Sequence, residues 1–224
     1  MTYSAAAILT LASQCAPSVA PETVLAIIQT ESSGEPFALN VNGGRQPAPQ
    51  NSAADAAATA RRFIAAGYSV DLGLGQINSR NMRWLGLTWE TVFDPCTNVA
   101  ALARVLTTNY HAAKPGRDPQ TALRVALSMY NTGSQTRGFR NGYVAKVERN
   151  AGIIQSTTAS ASPTFAAVAT APVDQRAFLA AENVVPETAT FQERPAPPPR
   201  WNVFERAAYD RETQLLAENE RPRI

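Results

Sequence analysis

The sequence predicts a mainly α-helical domain followed by a largely disordered C-terminal tail. Three observations carry that expectation. Forty of the 224 residues are alanines, which bury little surface each and suit closely packed helices. All twelve glycines precede residue 153, whereas eight of the sixteen prolines follow Gln155, so the composition changes abruptly there. Helix start and stop signals recur through the first part, and strand-like runs are scarce. The length corresponds to one packed unit plus an appendage. The expected organisation is a domain over 1–155, a flexible Ala/Ser/Thr/Pro-rich linker over 156–200, and a candidate amphipathic helix over 201–224.

The elements of the domain follow in order. Pro21 and Glu22 make a favourable first turn for a helix through Val24, Leu25, Ala26, Ile27 and Ile28, running to Ser33 and ended by Gly34. A second helix runs from Ser52 to Ala66, with Ser52 and Asp55 in capping-box spacing and Gly67 as its stop. A third follows Pro95, from Asn98 to about Ala113. The fourth has Asp118 as cap, Pro119 at its first position, and Ala122, Val125, Ala126 and Met129 as its buried stripe. A last helix spans Tyr143 to Ile154, and a short hairpin is expected between Asp71 and Asn78. About 155 residues so arranged suffice for one core of several small-residue helices.

Beyond the domain, Ser156 to Ala171 offers little that builds a core, and Pro195-Ala196-Pro197-Pro198-Pro199 is a polyproline-type spacer. Trp201, Phe204, Ala208 and Leu215 fall at roughly helical spacing. That segment suits docking to a partner as well as it suits a marginal helix folding back on the body.

Composition excludes several functions. Twenty Lys and Arg against eighteen Asp and Glu give a net charge of +2, too balanced for a protein that binds by neutralising phosphates, so nucleic acid is not expected as a partner. Cys15, Cys96 and His111 are one ligand short of a structural zinc site, and no metal is expected. A single His and no nucleophile elbow argue against a Ser-His-Asp hydrolase. No phosphate-binding loop occurs, so no cofactor is expected. The first basic residue is Arg45, and the apolar stretch from Ala5 to Ala12 is far too short to span a bilayer, so neither a standard signal peptide nor a membrane-spanning segment is expected.

One carboxylate stands out. Val24, Ile27, Ile28 and Glu31 fall at i, i+3, i+4 and i+7, which places Glu31 on an apolar helix stripe. Partial burial and the negative end of the helix dipole both raise the pKa of such a carboxyl, fitting it to act as a general acid. The alternative is a side chain that snorkels to water at the stripe's edge. The remaining eight carboxylates of the body suit caps, first turns or polar surroundings, except Asp71, which adjoins a glycine-rich loop. In that loop, Asp71-Leu72-Gly73-Leu74-Gly75-Gln76-Ile77-Asn78, backbone and amide groups are free to approach a ligand. Gln76 and Asn78 both donate and accept, as sugar hydroxyls and acetamides require; a tight hairpin without a ligand is the alternative. In Met129-Tyr130-Asn131-Thr132-Gly133, Asn131 is placed to cap a helix and Tyr130 to pack or to line a site.

Together, Glu31-Ser32 after an apolar helix, Gly73-Leu74-Gly75-Gln76-Ile77-Asn78, Met129-Tyr130-Asn131-Thr132-Gly133, and Tyr143-Val144 in a following helix resemble the lytic transglycosylase (SLT) domain of the goose-type lysozyme-like fold, in the branch associated with type IV secretion and conjugation systems. The resemblance covers about residues 3–150 and says nothing of the tail. It implies that Glu31 is the catalytic acid and then base, and that Ser32 supports the cleft. It further implies that Gln76 and Asn78 contact glycan, that Tyr130 and Asn131 line saccharide sites, and that Tyr143 orients Glu31. Many members of the wider superfamily carry Met where this chain has Gly75, which implies a cleft wall without the apolar side chain that they place there.

The implied reaction cleaves peptidoglycan between N-acetylmuramic acid and N-acetylglucosamine with formation of a 1,6-anhydro product, opening the wall locally for a secretion or conjugation apparatus. Glycosidases ordinarily use two carboxylates. Here the substrate's acetamido group takes the part of the second, for which the sequence offers no convincing candidate. The partner implied is the glycan strand, and the tail is a candidate contact for components of the apparatus. Cys15 and Cys96 are placed as in that branch and imply a disulfide, with two buried free thiols as the alternative. Oxidation fits the periplasm or cell envelope. The rival readings are a lysozyme-like muramidase on the same fold and a non-catalytic glycan-binding or scaffold subunit.

Overall fold

In the computed structural model, residues 2–152 are described, together with 209, 211–213 and 215. Ser4 accepts the amide of Ala7 at 3.3 Å and starts α1 (Ala5–Cys15), which buries Ile8 and Ala12. Pro21 then opens α2 (Pro21–Glu31), whose Val24, Ile27 and Ile28 are wholly buried, as the stripe requires. The helix ends two residues earlier than expected. Ser33 and Gly34 both turn to positive φ, 54° and 83°, and a Cβ on Gly34 would stand 2.7 Å from the carbonyl of Tyr3. Glycine is therefore needed there, where Tyr3 also donates its amide to the Gly34 carbonyl.

A three-stranded antiparallel sheet follows in the order β1 (Leu39–Asn42), β2 (Ser69–Leu72), β3 (Ile77–Asn78). The expected hairpin is β2–β3, whereas β1 carries no sequence signal strong enough to announce it. Between β1 and β2 lies α3 (Ala53–Ala65), capped by Ser52 as expected. Its Ala56, Ala57 and Ala60 pack on Val41, Val70 and Leu72 of the sheet and on Val92 and Phe93. After a 3₁₀ turn at Ser79–Asn81 come α4 (Met82–Leu85), α5 (Pro95–Ala113), α6 (Pro119–Thr132), α7 (Arg137–Arg140) and α8 (Tyr143–Asn150). Helix α5 starts three residues before the expected Asn98, because Asp94 caps the Thr97 amide and Pro95 takes the first position. Helix α8 stops at Asn150, short of the expected Ile154, which lies outside the described residues.

The larger core joins α1, α2, α5, α6 and α8, and the smaller one fills the space between α3 and the sheet. Cys15 at the end of α1 and Cys96 in the first turn of α5 form a disulfide, so the free-thiol alternative falls away. It closes a loop that contains α2 and the whole sheet. In the chain-entropy account a loop of this length stabilises the fold by about 4–5 kcal/mol. No helix among the described residues is long and apolar enough to cross a membrane. The linker expected at 156–200 lies outside the described residues. Of the segment 201–224 only Tyr209, Arg211, Glu212, Thr213 and Leu215 are described, all with helical backbone, and Arg211 donates to the Pro17 carbonyl at 2.5 Å.

Candidate active site

The last turn of α2 delivers Glu31 to the wall of a groove between the two cores. Helix α8 holds it there. Tyr143, Lys146 and Asn150 lie on one face of α8 and meet the end of α2 in sequence. The Tyr143 hydroxyl donates to Glu31 Oε1 at 2.5 Å, Lys146 Nζ to the Thr30 carbonyl at 3.1 Å, and Asn150 Nδ2 to Thr30 Oγ1 at 2.8 Å. Burial pushes the Glu31 carboxyl up to about 7; the Tyr143 hydrogen bond opposes the shift, the negative charge of Asp71 adds to it, and Lys146 offsets part. Glu31 keeps some contact with solvent on the groove side, so it is a wall group and not one sealed in the core. The Tyr143 phenol is itself pushed well above its usual value by burial and then by Glu31, so it remains a donor.

The groove has two lobes that meet at Glu31, Asn42, Asp71, Gln76 and Asn131. One lobe, about 580 Å³, runs past Asn78 and Tyr130 to Trp84. The other, about 560 Å³, runs past Ser32 and Phe37 to the segment from Pro47 to Gln50. The structure thus brings Glu31, Gln76, Asn78, Tyr130 and Asn131 to one lobe and Ser32 to the other, while Tyr143 stands behind Glu31 without lining either lobe.

Their hydrogen bonds refine the expected roles. Gln76, with a positive φ of 49°, donates through Nε2 to the carbonyls of Gly73 at 2.9 Å and Ala38 at 3.2 Å. Both amide protons are therefore taken, and the side-chain oxygen is the polar function left for a ligand. Asn78 donates to Asp71 Oδ1 at 2.6 Å and caps the following turn by accepting from the Arg80 amide. Ser32 bonds the Ile28 carbonyl and accepts from the Gly34 amide, so its hydroxyl shapes the helix end. Asn131 does not cap α6, which Gly133 ends at a φ of 66°; it accepts from Asn141, whose own oxygen accepts the Tyr143 amide. The Tyr130 hydroxyl donates to the Gly75 carbonyl at 2.6 Å.

A side chain at Gly75 would meet close neighbours. A Cβ there would stand 3.0 Å from Leu102 Cβ and 3.2 Å from the Tyr130 hydroxyl, so both would have to give way slightly. Gly75→Met is expected to lower stability by about 1–3 kcal/mol through overpacking and to displace Tyr130. A thermal melt checks it, and an unchanged melting temperature would show that the space is open.

Three features of the site were not expected from the sequence. Asp71, ambiguous by its position beside the glycine loop, sits at the junction of the lobes and accepts from Asn40, Asn42 and Asn78 at 3.0, 3.0 and 2.6 Å. The sheet register, Asn40 opposite Asp71 and Asp71 opposite Asn78, explains this ring of amides. Asn98, fully buried on α5, donates to the Leu72 and Val92 carbonyls and accepts the Gly75 amide at 2.7 Å, pinning the glycine loop. Lys146 and Asn150 also join the site, although only their spacing after Tyr143, which puts all three on one helical face, could have signalled it. Among the described residues no three His, Cys, Asp or Glu side chains gather as a metal site.

The helical fold thus presents one carboxyl, Glu31, with a raised pKa at the wall of a polar groove. The chain belongs to the Transglycosylase SLT domain family, whose profile matches residues 9–153. It is similar to Protein virB1 of Agrobacterium fabrum, 44% identical over 137 residues that cover 61% of this chain and 56% of that one. It is also similar to the Type IV secretion system protein virB1 of Brucella suis biovar 1 and of Brucella abortus, each 38% identical over 181 residues, covering 75% of this chain and 76% of theirs. The chain therefore spans little more than half the length of the Agrobacterium relative. No solved structure matches it significantly.

Proposed function

We propose that the protein is a peptidoglycan lytic transglycosylase of the periplasm or cell envelope, with residues 1–155 as its catalytic domain. It cleaves the β-1,4 bond between N-acetylmuramic acid and N-acetylglucosamine and opens the wall locally for assembly of a type IV secretion or conjugation apparatus. The observation that carries the reading is Glu31, held at a groove wall with its pKa raised to about 7 and its carboxyl oriented by Tyr143. Family membership and the relatives named for type IV secretion support the substrate and the setting.

The chemistry follows from that one group. Protonated Glu31 gives its proton to the glycosidic oxygen as the bond from C1 breaks. The substrate's acetamido oxygen, with the negative charge of Asp71 nearby, stabilises the positive charge growing at C1. The Glu31 carboxylate then takes the proton of the muramic C6 hydroxyl, and O6 closes on C1, which regenerates the acid. Intramolecular attack has the proximity advantage over water. Asp71 is poorly placed to act as a base for water, since three of its roughly four acceptor positions already hold amide protons. Gln76, Asn78, Tyr130 and Asn131 line the strand's path, and Ser32 shapes its far side.

Digestion of purified sacculi in water enriched with oxygen-18, followed by mass spectrometry, tests the reading. The expected products end in 1,6-anhydro rings and carry no label. Labelled reducing ends would make the protein a muramidase, and intact sacculi would make it a non-catalytic subunit.

A further inference from the structure

The lobe that starts at Glu31 does not end with the residues assigned so far. It continues along the 3₁₀ turn, α4 and α5 to Arg80, Asn81, Trp84, Val105 and Asn109. Trp84 is 42% exposed, which is unusual for so large an apolar ring and leaves part of the indole facing water. Its orientation is fixed from one side. The Arg104 guanidinium lies 5.3 Å from the centre of the indole and reaches the Leu85 carbonyl. Arg104 borders a different groove, with Cys15, Pro17 and His111, and not the cleft. The guanidinium therefore covers the indole without entering the cleft, which Trp84 itself lines.

The polar side chains at this end also differ from those near Glu31. The amides of Gln76 and Asn78 donate within the fold, and Asn131 accepts from Asn141 through its oxygen. Asn81 makes no side-chain cap at the start of α4, and among the described residues no hydrogen bond engages its amide or that of Asn109. A rigid aromatic face flanked by available amides and by the Arg80 cation matches a sugar ring. The apolar C–H face of a pyranose covers the indole while its hydroxyl and acetamide groups exchange hydrogen bonds with the amides.

We propose that Trp84, with Asn81 and Asn109, forms a distal saccharide subsite that grips the glycan strand several sugars away from the bond being cut. The subsite rests on the reading of the groove as a glycan channel, and its distinctive consequence is a dependence on chain length. A short oligomer occupies the positions beside Glu31 without reaching Trp84. A long one spans both and gains the stacking interaction.

The test uses the full chain carrying Glu31→Gln, so that bound glycan is not consumed, titrated with the dimer and the hexamer of β-1,4-linked N-acetylglucosamine. The expected result is tighter binding of the hexamer with a change in tryptophan fluorescence. Adding Trp84→Ala is expected to weaken the hexamer roughly five- to tenfold and to remove the signal, with a much smaller effect on the dimer. Trp84→Phe, which keeps a flat apolar ring, restores most of the affinity. Equal hexamer binding with and without Trp84, or equal losses for dimer and hexamer, overturns the subsite and leaves the glycan channel standing. A Glu31→Gln protein that binds neither oligomer removes the channel itself, and the subsite with it.

Discussion

Glu31→Gln is expected to lower the rate of glycan cleavage by about 10³-fold or more, because one group serves as the acid and then as the base of the same turnover. The amide is isosteric and still accepts the Tyr143 hydroxyl, so the groove keeps its shape. The same substitution has an opposite effect on stability, and pH reveals it. The folded state holds the Glu31 proton more tightly than the unfolded chain does, with a pKa of about 7 against 4.5. Stability linked to this group is therefore fully present below about pH 4.5 and is lost as the pH rises to 7. Above pH 7 the folded protein carries a desolvated charge costing about 3 kcal/mol, which the amide does not carry. The variant is expected to exceed the parent in denaturant midpoint at pH 8.5 and to match it at pH 4. The parent's cleavage rate is expected to fall above about pH 7, where the acid is lost. Urea titrations at the two pH values check the first point. A stability gap that does not widen with pH would mean that Glu31 is not desolvated.

Much of this site is local in origin and legible in the sequence. The apolar spacing of α2 ends on Glu31, so one helical wheel places the acid against the core. Ser52 with Asp55 and Asp118 with Pro119 announce the starts of α3 and α6, because a cap needs only three or four consecutive residues. The glycine loop is visible for the same reason. What is not legible depends on contacts between distant segments. Strand β1 is four residues long and buries only Val41 fully, too short to display a period of two. Yet β1 supplies Asn40 and Asn42, and without them Asp71 has no evident role. The hold of α8 on α2 spans 112 to 120 residues of chain, a separation that no local pattern encodes. Gly75 shows the same limit from the other side. Sequence registers only that methionine is absent, whereas the closeness of Leu102 and the Tyr130 hydroxyl to a Cβ at this position is a contact between distant segments.

The largest drop in stability is expected from Asn98→Leu. Among the described residues, Asn98 is the side chain that ties α5 to the glycine loop and the sheet at once, through the Leu72 carbonyl at 3.0 Å, the Val92 carbonyl at 2.8 Å and the Gly75 amide at 2.7 Å. Leu72, Gly75 and Val92 are buried, so water does not replace the missing partner. Each buried polar group left unsatisfied costs about 1–3 kcal/mol, and with partial relaxation the sum is expected to reach about 3–5 kcal/mol. Leucine is larger than asparagine, so cavity formation is not the cause. A second variant separates hydrogen bonding from packing. Asn98→Asp keeps the shape and the acceptor for the Gly75 amide but sets a carboxylate oxygen against two carbonyls, and it too is expected to lose several kcal/mol, by about the buried-group cost above. The damage extends to the groove. The loop that Asn98 pins also carries the Gly75 carbonyl bound by Tyr130 and the backbone turn that sets Gln76. In the fraction of either variant that remains folded, KM for glycan is expected to rise while the pH dependence governed by Glu31 stays in place. Urea midpoints of both variants close to that of the parent would show that the loop is held by packing alone.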